Sequence, residues 1–363
     1  MNPIQVAERA LREGDLDQAL NFLQTGVRSS PGDAALRIFL FQLLAVLGQW
    51  ERALSQLNVA AELDASALAM AQMYRETLRC ELLRGEVFAG KRSPVIFGQP
   101  EGWLALLIES LLTAGQGRVD AAETLRQRAF DEAPASAGSI DGQAFEWIAD
   151  ADMRLGPVCE AVINGRYYWL PFAHLARVVI DAPQDLRDAV WMPAHFEFTN
   201  GGETVGVIPT RYPGSEMHTD PLVRLARKTE WIESPAGVFC GQGQRILTTD
   251  IGDFPLMDVR EIVLSSPAIA EGCARGGTPP DRTPATRAPR SPDPSRQHPR
   301  DERRQLSSRP KPRPKGRLTP FENRNARMRP PLGLRPPGGL MRAPQVADFY
   351  AAPWPVFTPP LTG

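Results

Sequence analysis

"GDLDQAL" at residues 14–20 and "GQWERAL" at residues 48–54 share the pattern Gly-x-x-x-x-Ala-Leu, and the pairs Gly14/Gly48, Ala19/Ala53 and Leu20/Leu54 each lie 34 residues apart. That interval is the period of the tetratricopeptide repeat, whose unit is a pair of antiparallel helices. The neighbouring residues support two helices per unit. Leu16, Ala19, Leu20, Leu23 and Val27 fall on one face at a 3.6-residue period. Leu36, Phe39, Leu40, Leu43, Leu44 and Leu47 repeat the pattern, and Trp50, Ala53, Leu54, Leu57 and Ala61 repeat it again. The two glycines predict turns between paired helices, and Ala19, Gly26, Ala53 and Ala60 are small where helices must approach closely. In "SSPGD" (29–33), Pro31 and Gly32 stop one helix and Asp33 is placed to cap the next. A weaker echo, "GRVDAAETL" (117–125), starts 69 residues after Gly48, while "LLRGEVFAGKRSPVIFGQPEGW" (82–103) breaks the register. Residues 1–140 therefore read as a short, irregular tetratricopeptide-like helical domain.

Near residue 155 the period changes. "VCEAVINGRYYWLP" (158–171) is two apolar-aromatic runs joined by Asn164-Gly165, the strongest short hairpin signal. "HFEFTNGGETVGVI" (195–208) predicts a second hairpin, "GQRILTT" (243–249) and "MDVREIVL" (257–264) predict further strands, and "DPLVRLARKTEW" (220–231) predicts one helix. Five or so short strands over residues 141–266 suggest a small β-rich domain, a barrel or a sheet curled over its own edges. The fold class expected is α+β, helical repeats followed by this barrel-like domain.

Residues 267–363 differ in kind. They hold 21 of the 35 prolines and carry a net charge of +11, against −12 for the rest of the chain. We expect this Pro/Arg-rich tail to be disordered. Its arginines, scattered among prolines with almost no aromatic interleaving before Phe349-Tyr350, suit an out-of-frame reading of a GC-rich gene better than a nucleic-acid-binding arm. The acidic remainder is unsuited to gripping phosphate backbones. Cys80, Cys159, Cys240 and Cys273 are widely spaced and form no C-x-x-C pair, a pattern of scattered thiols in a reducing compartment. The N-terminus is charged where a signal peptide is apolar, and the longest apolar run, "IFLFQLLAVLG" (38–48), is too short to span a bilayer. A cytoplasmic protein without membrane insertion is expected.

No motif commits the chain to catalysis. There is no Gly-rich phosphate loop between a strand and a helix, and no G-x-S-x-G elbow. Ser215 lies near His218, but three residues of loop fix no nucleophile–base geometry. Asp150 and Asp152 in "DADMR" and Glu216, His218 and Asp220 in "EMHTD" leave one enzymatic alternative, a metal-dependent hydrolase using Asp150, Asp152 and His218, which requires those side chains to converge. Local ion pairing, of Asp150 or Asp152 with Arg154 and of Asp185 and Asp188 with Arg187, accounts for the same residues more simply. We expect no catalytic residue, cofactor or metal. A helical repeat instead offers a groove for a peptide or helix, with Trp50, Tyr74 and Trp103 as candidate partner-binding anchors, each equally at home in a core.

Six blocks resemble one family. "FEWIADADMRLGPVCEAVINGRYYWLPF" (145–172), "PQDLRDAVWMPA" (183–194), "RYPGSE" (211–216), "LARKTEW" (225–231), "GQRILTTD" (243–250) and "DVREI" (258–262) are similar to the ImpE/SciE/TagJ family of type VI secretion accessory proteins. "FAGKRSP" and "GQPEGW" (88–103) are also in keeping, so the resemblance spans roughly residues 1–265. It implies a cytoplasmic, non-enzymatic protein with tetratricopeptide-like helices and a small β domain. It implies a partner as well, the sheath small subunit (TssB), bound through that subunit's N-terminal helix, and through it proximity to the ClpV ATPase that recycles contracted sheath. Residues 267–363 have no counterpart in the pattern.

Overall fold

A computed structural model describes residues 2–98, 101–234 and 238–265. The expected tail lies outside the described residues. Seven α-helices make up most of the first part of the chain: α1 (Pro3–Arg12), α2 (Leu16–Ser29), α3 (Ala34–Val46), α4 (Trp50–Leu63), α5 (Leu68–Phe88), α6 (Gly102–Gly115) and α7 (Val119–Glu132). The sequence explains their ends. Asn2, Asp15 and Asp33 cap α1, α2 and α3, their side chains accepting from the Ile4, Gln18 and Leu36 amides. Gly14, Gly48 and Gly117 all have positive φ (79°, 67° and 78°) in the α1–α2, α3–α4 and α6–α7 turns, so the weak echo at residue 117 is a third helical hairpin. Ala19, Ala53, Gly26 and Ala60 are buried between helices. A Cβ at Gly26 would meet Pro3 Cβ at 3.0 Å and Leu36 Cδ2 at 3.2 Å, a space only glycine leaves open. The apolar run 38–48 is, as its composition predicts, a buried helix, with Leu40 through Val46 all inside α3.

The strands are more numerous than the sequence suggested: β1 (Val95–Ile96), β2 (Gly138–Ile140), β3 (Gln143–Phe145), β4 (Ile148–Asp150), β5 (Val158–Ile163), β6 (Arg166–Pro171), β7 (Leu175–Ile180), β8 (Trp191–Phe198), β9 (Glu203–Pro209), β10 (Thr229–Glu233), β11 (Phe239–Gly243), β12 (Ile246–Thr249), β13 (Asp253–Pro255) and β14 (Glu261–Leu264). Nine form one sheet in the order β1-β6-β5-β9-β8-β7-β14-β2-β3, and smaller sheets β13-β12-β4 and β10-β11 complete the set. Both expected hairpins are present. Asn164 (φ 49°) and Gly165 (φ 70°) join β5 to β6 with both residues left-handed, which matches the strand twist. The helix expected over 220–231 shrinks to one turn, α8 (Pro221–Arg224). Ala226 turns left-handed (φ 56°), and Thr229–Glu233 pairs with Phe239–Gly243 instead. Cross-strand pairing outweighs the local helical pattern there.

Alternation along the central strands divides two cores. From β5, Val158 and Val162 face the helices, with Tyr167 and Trp169 of β6, Trp191 of β8 and Val207 of β9. Cys159, Ala161, Ile163, Leu170, Met192, Phe196 and Ile208 face the opposite way, into a second core closed by Leu247, Leu256 and Val259. The sheet thus curls over its own far face while helices cover part of the near one. Tilted aromatic contacts join helix to sheet: Tyr74 lies 5.6 Å from Trp191 and 6.0 Å from Phe41, and Phe88 lies 6.0 Å from Trp169, ring centroid to centroid. Among the described residues, no helix is long and apolar enough to cross a membrane, and Cys80, Cys159 and Cys240 are free thiols.

Candidate partner-binding site

The repeat turns face the segment between β9 and β10, and that contact shapes the site. Gly14 lies against Pro221, with an ideal Cβ 3.6 Å from Pro221 Cγ. Gly48 is tighter, because its Cβ would stand 2.5 Å from Glu216 Cγ. Two arginines repeat the relationship. The Arg227 guanidinium donates to the carbonyls of Leu11 (2.9 Å) and Arg12 (3.5 Å) at the end of α1. The Arg211 guanidinium donates to Ala45 (3.4 Å) and Val46 (2.9 Å), which sit 34 residues further on at the end of α3. Each repeat unit thus ends its first helix on a cation from the β region, where the carbonyl end of the helix dipole favours positive charge. Among the described residues Arg211 forms no ion pair, and burial pulls its pKa down to about 10 against the pull of Glu216 and Glu81.

Behind this contact runs a buried chain of charges. Arg84 of α5 donates to Glu160 of β5 through Nε (2.7 Å) and Nη2 (3.0 Å), and Nη2 also reaches the Arg211 carbonyl at 2.7 Å. Arg245 pairs with both Glu160 and Asp150, and its Nε donates to the Pro209 carbonyl at 2.9 Å. Tyr167 donates to Glu160 and accepts from the Trp169 indole at 2.7 Å. Burial opposes ionisation of Glu160, yet Arg84 and Arg245 prevail and hold its pKa down at about 2. For Asp150 burial prevails over Arg245 and lifts the pKa to about 6. Cations are thus fixed on both sides of Glu160, and helix α5 is bonded to the sheet.

Above the chain a hollow of about 150 Å³ opens between α4, α5 and the loop 213–216, lined by Trp50, Glu81, Leu82, Arg84, Gly85, Pro213, Gly214 and Glu216. Glu81 Oε1 accepts from the Trp191 indole at 2.8 Å, and the Trp50 ring lies 6.1 Å from Trp191. Leu82 is 58 % exposed and Met217 beyond the rim 80 %, so apolar surface flanks an acidic hollow. Of the three aromatic candidates, Trp50 reaches this surface half-buried, whereas Tyr74 and Trp103 are each only 4 % exposed and pack in the core. Burial lifts the Tyr74 pKa to about 12, with Arg187 stacked 5.1 Å over the ring.

The candidate metal ligands do not share a site. Asp150 holds Arg245 and accepts from Tyr212 (3.1 Å) and the Asp152 amide (2.8 Å). Asp152 holds Arg154 through Nε (2.9 Å) and Nη2 (2.5 Å) and accepts from the Gly241 amide (2.9 Å). The pairing of Asp152 with Arg154 is the local one expected; that of Asp150 with Arg245 spans 95 residues. His218 accepts from the Asp220 amide and lies 3.3 Å from Glu230. Among the described residues no group of three His, Cys, Asp or Glu side chains could hold a metal. Ser215 Oγ is buried and used structurally, accepting from the Gly243 amide at 2.7 Å. Asp185 pairs with Arg187 as expected, while Asp188 accepts from the Gln184 and Asp185 amides.

Comparison with known proteins agrees with this architecture. The ImpE protein family pattern matches residues 142–263, and a tetratricopeptide repeat pattern matches residues 10–74. The chain is 53 % identical over 257 residues to the type VI secretion system accessory component TagJ of Pseudomonas aeruginosa, covering 71 % of this chain and 90 % of that protein. The crystal structure of protein VPA1032 from Vibrio parahaemolyticus superposes with a TM-score of 0.66 at 26 % identity, covering 72 % of this chain and 98 % of that one. The chain belongs to the ImpE/TagJ family.

Proposed function

We propose that this protein is a non-enzymatic type VI secretion accessory protein that binds the N-terminal helix of the sheath small subunit (TssB-like) in the cytoplasm and assists ClpV-dependent sheath recycling. The observation that carries the reading is the 53 % identity to TagJ, an accessory component of that system, over 90 % of its length. The hollow beside Trp50 supports it. A half-buried indole, the exposed Leu82 and the carboxylates of Glu81 and Glu216 suit an amphipathic helix that presents an apolar anchor and a basic flank. In this reading Trp50 is the anchor contact, and Tyr74 and Trp103 act from beneath by holding α5 and α6 in place. Residues 1–140 and 141–266 work as one binding body, since both line the hollow.

Co-elution tests the proposal. The full chain is mixed with the intact sheath small subunit and, separately, with that subunit lacking its N-terminal helix. The intact subunit co-elutes and the truncated one does not; equal co-elution of both, or of neither, refutes the reading.

A further inference from the structure

The helical layer covers only part of the sheet face on which it packs. Trp191 of β8 and Val207 of β9 lie under it, but the next residues on the same face are open. Val205 pairs across the sheet with His195, His195 with Val179 and Val179 with Glu261, so these four side chains form one row over four strands. The adjoining row is Val263, Arg177, Glu197 and Glu203. Asp181 and all of these side chains except Glu261 and Val263 line an open hollow of about 580 Å³. Val205 is 58 % exposed and Val263 38 %.

Charge selects the occupant. Arg177 is the one guanidinium in the two rows and is already bonded to Glu197 (2.9 Å) and Glu261 (2.6 Å). Asp181 and Glu203 face the same hollow and form no ion pair among the described residues. The surface is therefore net negative around an aliphatic centre. Two copies of it would repel each other, and a nucleic acid would be repelled likewise. Four strands at about 4.8 Å span roughly 14 Å, and two rows add roughly 7 Å along the strands. A helix about 10 Å wide and ten residues long fills that area, and a helix continues the layer that already covers the other half of the face. We infer that this open half of the sheet is a second docking surface, distinct from the hollow beside Trp50, and that it takes a basic amphipathic helix of a partner protein.

The test uses the full chain and a fluorescent 14-residue probe of Leu and Lys placed at helical spacing, followed by anisotropy. Saturable binding is expected, weakened about tenfold by Asp181→Lys with Glu203→Lys and several-fold by Val205→Ser, changes that touch only exposed side chains. Glu109→Lys with Asp131→Lys, on exposed positions of α6 and α7, reverses the same charge elsewhere and leaves binding within twofold. A Ser/Lys probe of equal charge binds at least tenfold more weakly, and the sheath small-subunit peptide does not displace the Leu/Lys probe. Equal loss from the α6/α7 reversal, or equal binding of the Ser/Lys probe, makes the effect mere attraction to an acidic protein and overturns the inference. Displacement by the sheath peptide overturns the claim of a second surface. Dimerisation through this face, seen by light scattering and abolished by Val205→Ser, replaces the partner with a second copy.

Discussion

Replacing Glu160 by Gln removes the carboxylate on which the helix-to-sheet bonding converges. Arg84 keeps Glu81 and the Arg211 carbonyl, and Arg245 keeps Asp150, but both lose their shared partner. The magnitude follows from the shift in Glu160. A pKa moved from 4.5 down to about 2 corresponds to roughly 3 kcal/mol of stabilisation when the group is ionised. An independent expectation agrees, since breaking a buried ion pair from one side costs about 3–5 kcal/mol. Urea unfolding at pH 7 measures it. With a slope of about 2 kcal/mol per molar, the midpoint falls by about 1.5 M. The sign with pH is also fixed. A carboxyl depressed in the folded state contributes its full stability above its unfolded pKa and loses it as pH falls through the folded value. The gap between wild type and variant is therefore constant above about pH 5 and has shrunk by roughly half at pH 3. A loss below about 1 kcal/mol at pH 7, or a gap that does not change between pH 5 and pH 3, refutes the reasoning.

Other perturbations follow from the same contacts. Gly48→Ala meets both a left-handed backbone (φ 67°) and Glu216 Cγ at 2.5 Å, and is expected to cost about 2–3 kcal/mol in urea unfolding. Gly14→Ala, with only Pro221 at 3.6 Å, costs about 1 kcal/mol from backbone strain, so equal losses at the two sites would argue against the Glu216 contact. Asp150→Asn tests the opposite titration: a carboxyl raised to about 6 contributes stability fully present below its unfolded pKa of 3.8 and lost as pH rises through 6. Wild type should therefore gain about 1 kcal/mol relative to the Asn variant between pH 7 and pH 5. Arg227→Met removes the donor to the Leu11 carbonyl, so hydrogen exchange should quicken in α1 while α3, held by Arg211, keeps its protection.

The repeat was readable because its signal is local and periodic. Gly14 and Gly48 announce the left-handed turns they make, and Asp33 caps the helix that follows it. Asn164-Gly165 likewise dictates its own hairpin. What the repeat packs against was not readable. Arg227 and Arg211 reach the ends of α1 and α3 from more than 160 residues away, and no spacing connects an arginine to a distant helix carbonyl. The anchors raised a different difficulty. Tyr74, Trp103 and Trp50 each sit on an apolar helical stripe, and a stripe marks the buried side without saying whether chain or partner covers it. The segment 220–231 has helical residues throughout, but its second half is paid for by pairing with β11, a long-range term that composition does not carry. A sequence signal for the hollow did exist in "RYPGSE", where Pro213-Gly214 brings Glu216 against Gly48.

Binding of the sheath small subunit's N-terminal helix, without turnover of anything, is the proposal on which the rest depends. Calorimetric titration of the full chain with a peptide of that helix tests it most directly. Saturable one-to-one heat is expected, with Kd on the order of 1 μM, about −8 kcal/mol, weakened about tenfold or more by Trp50→Ala. No heat at two well-separated temperatures, or binding indifferent to Trp50, would contradict it.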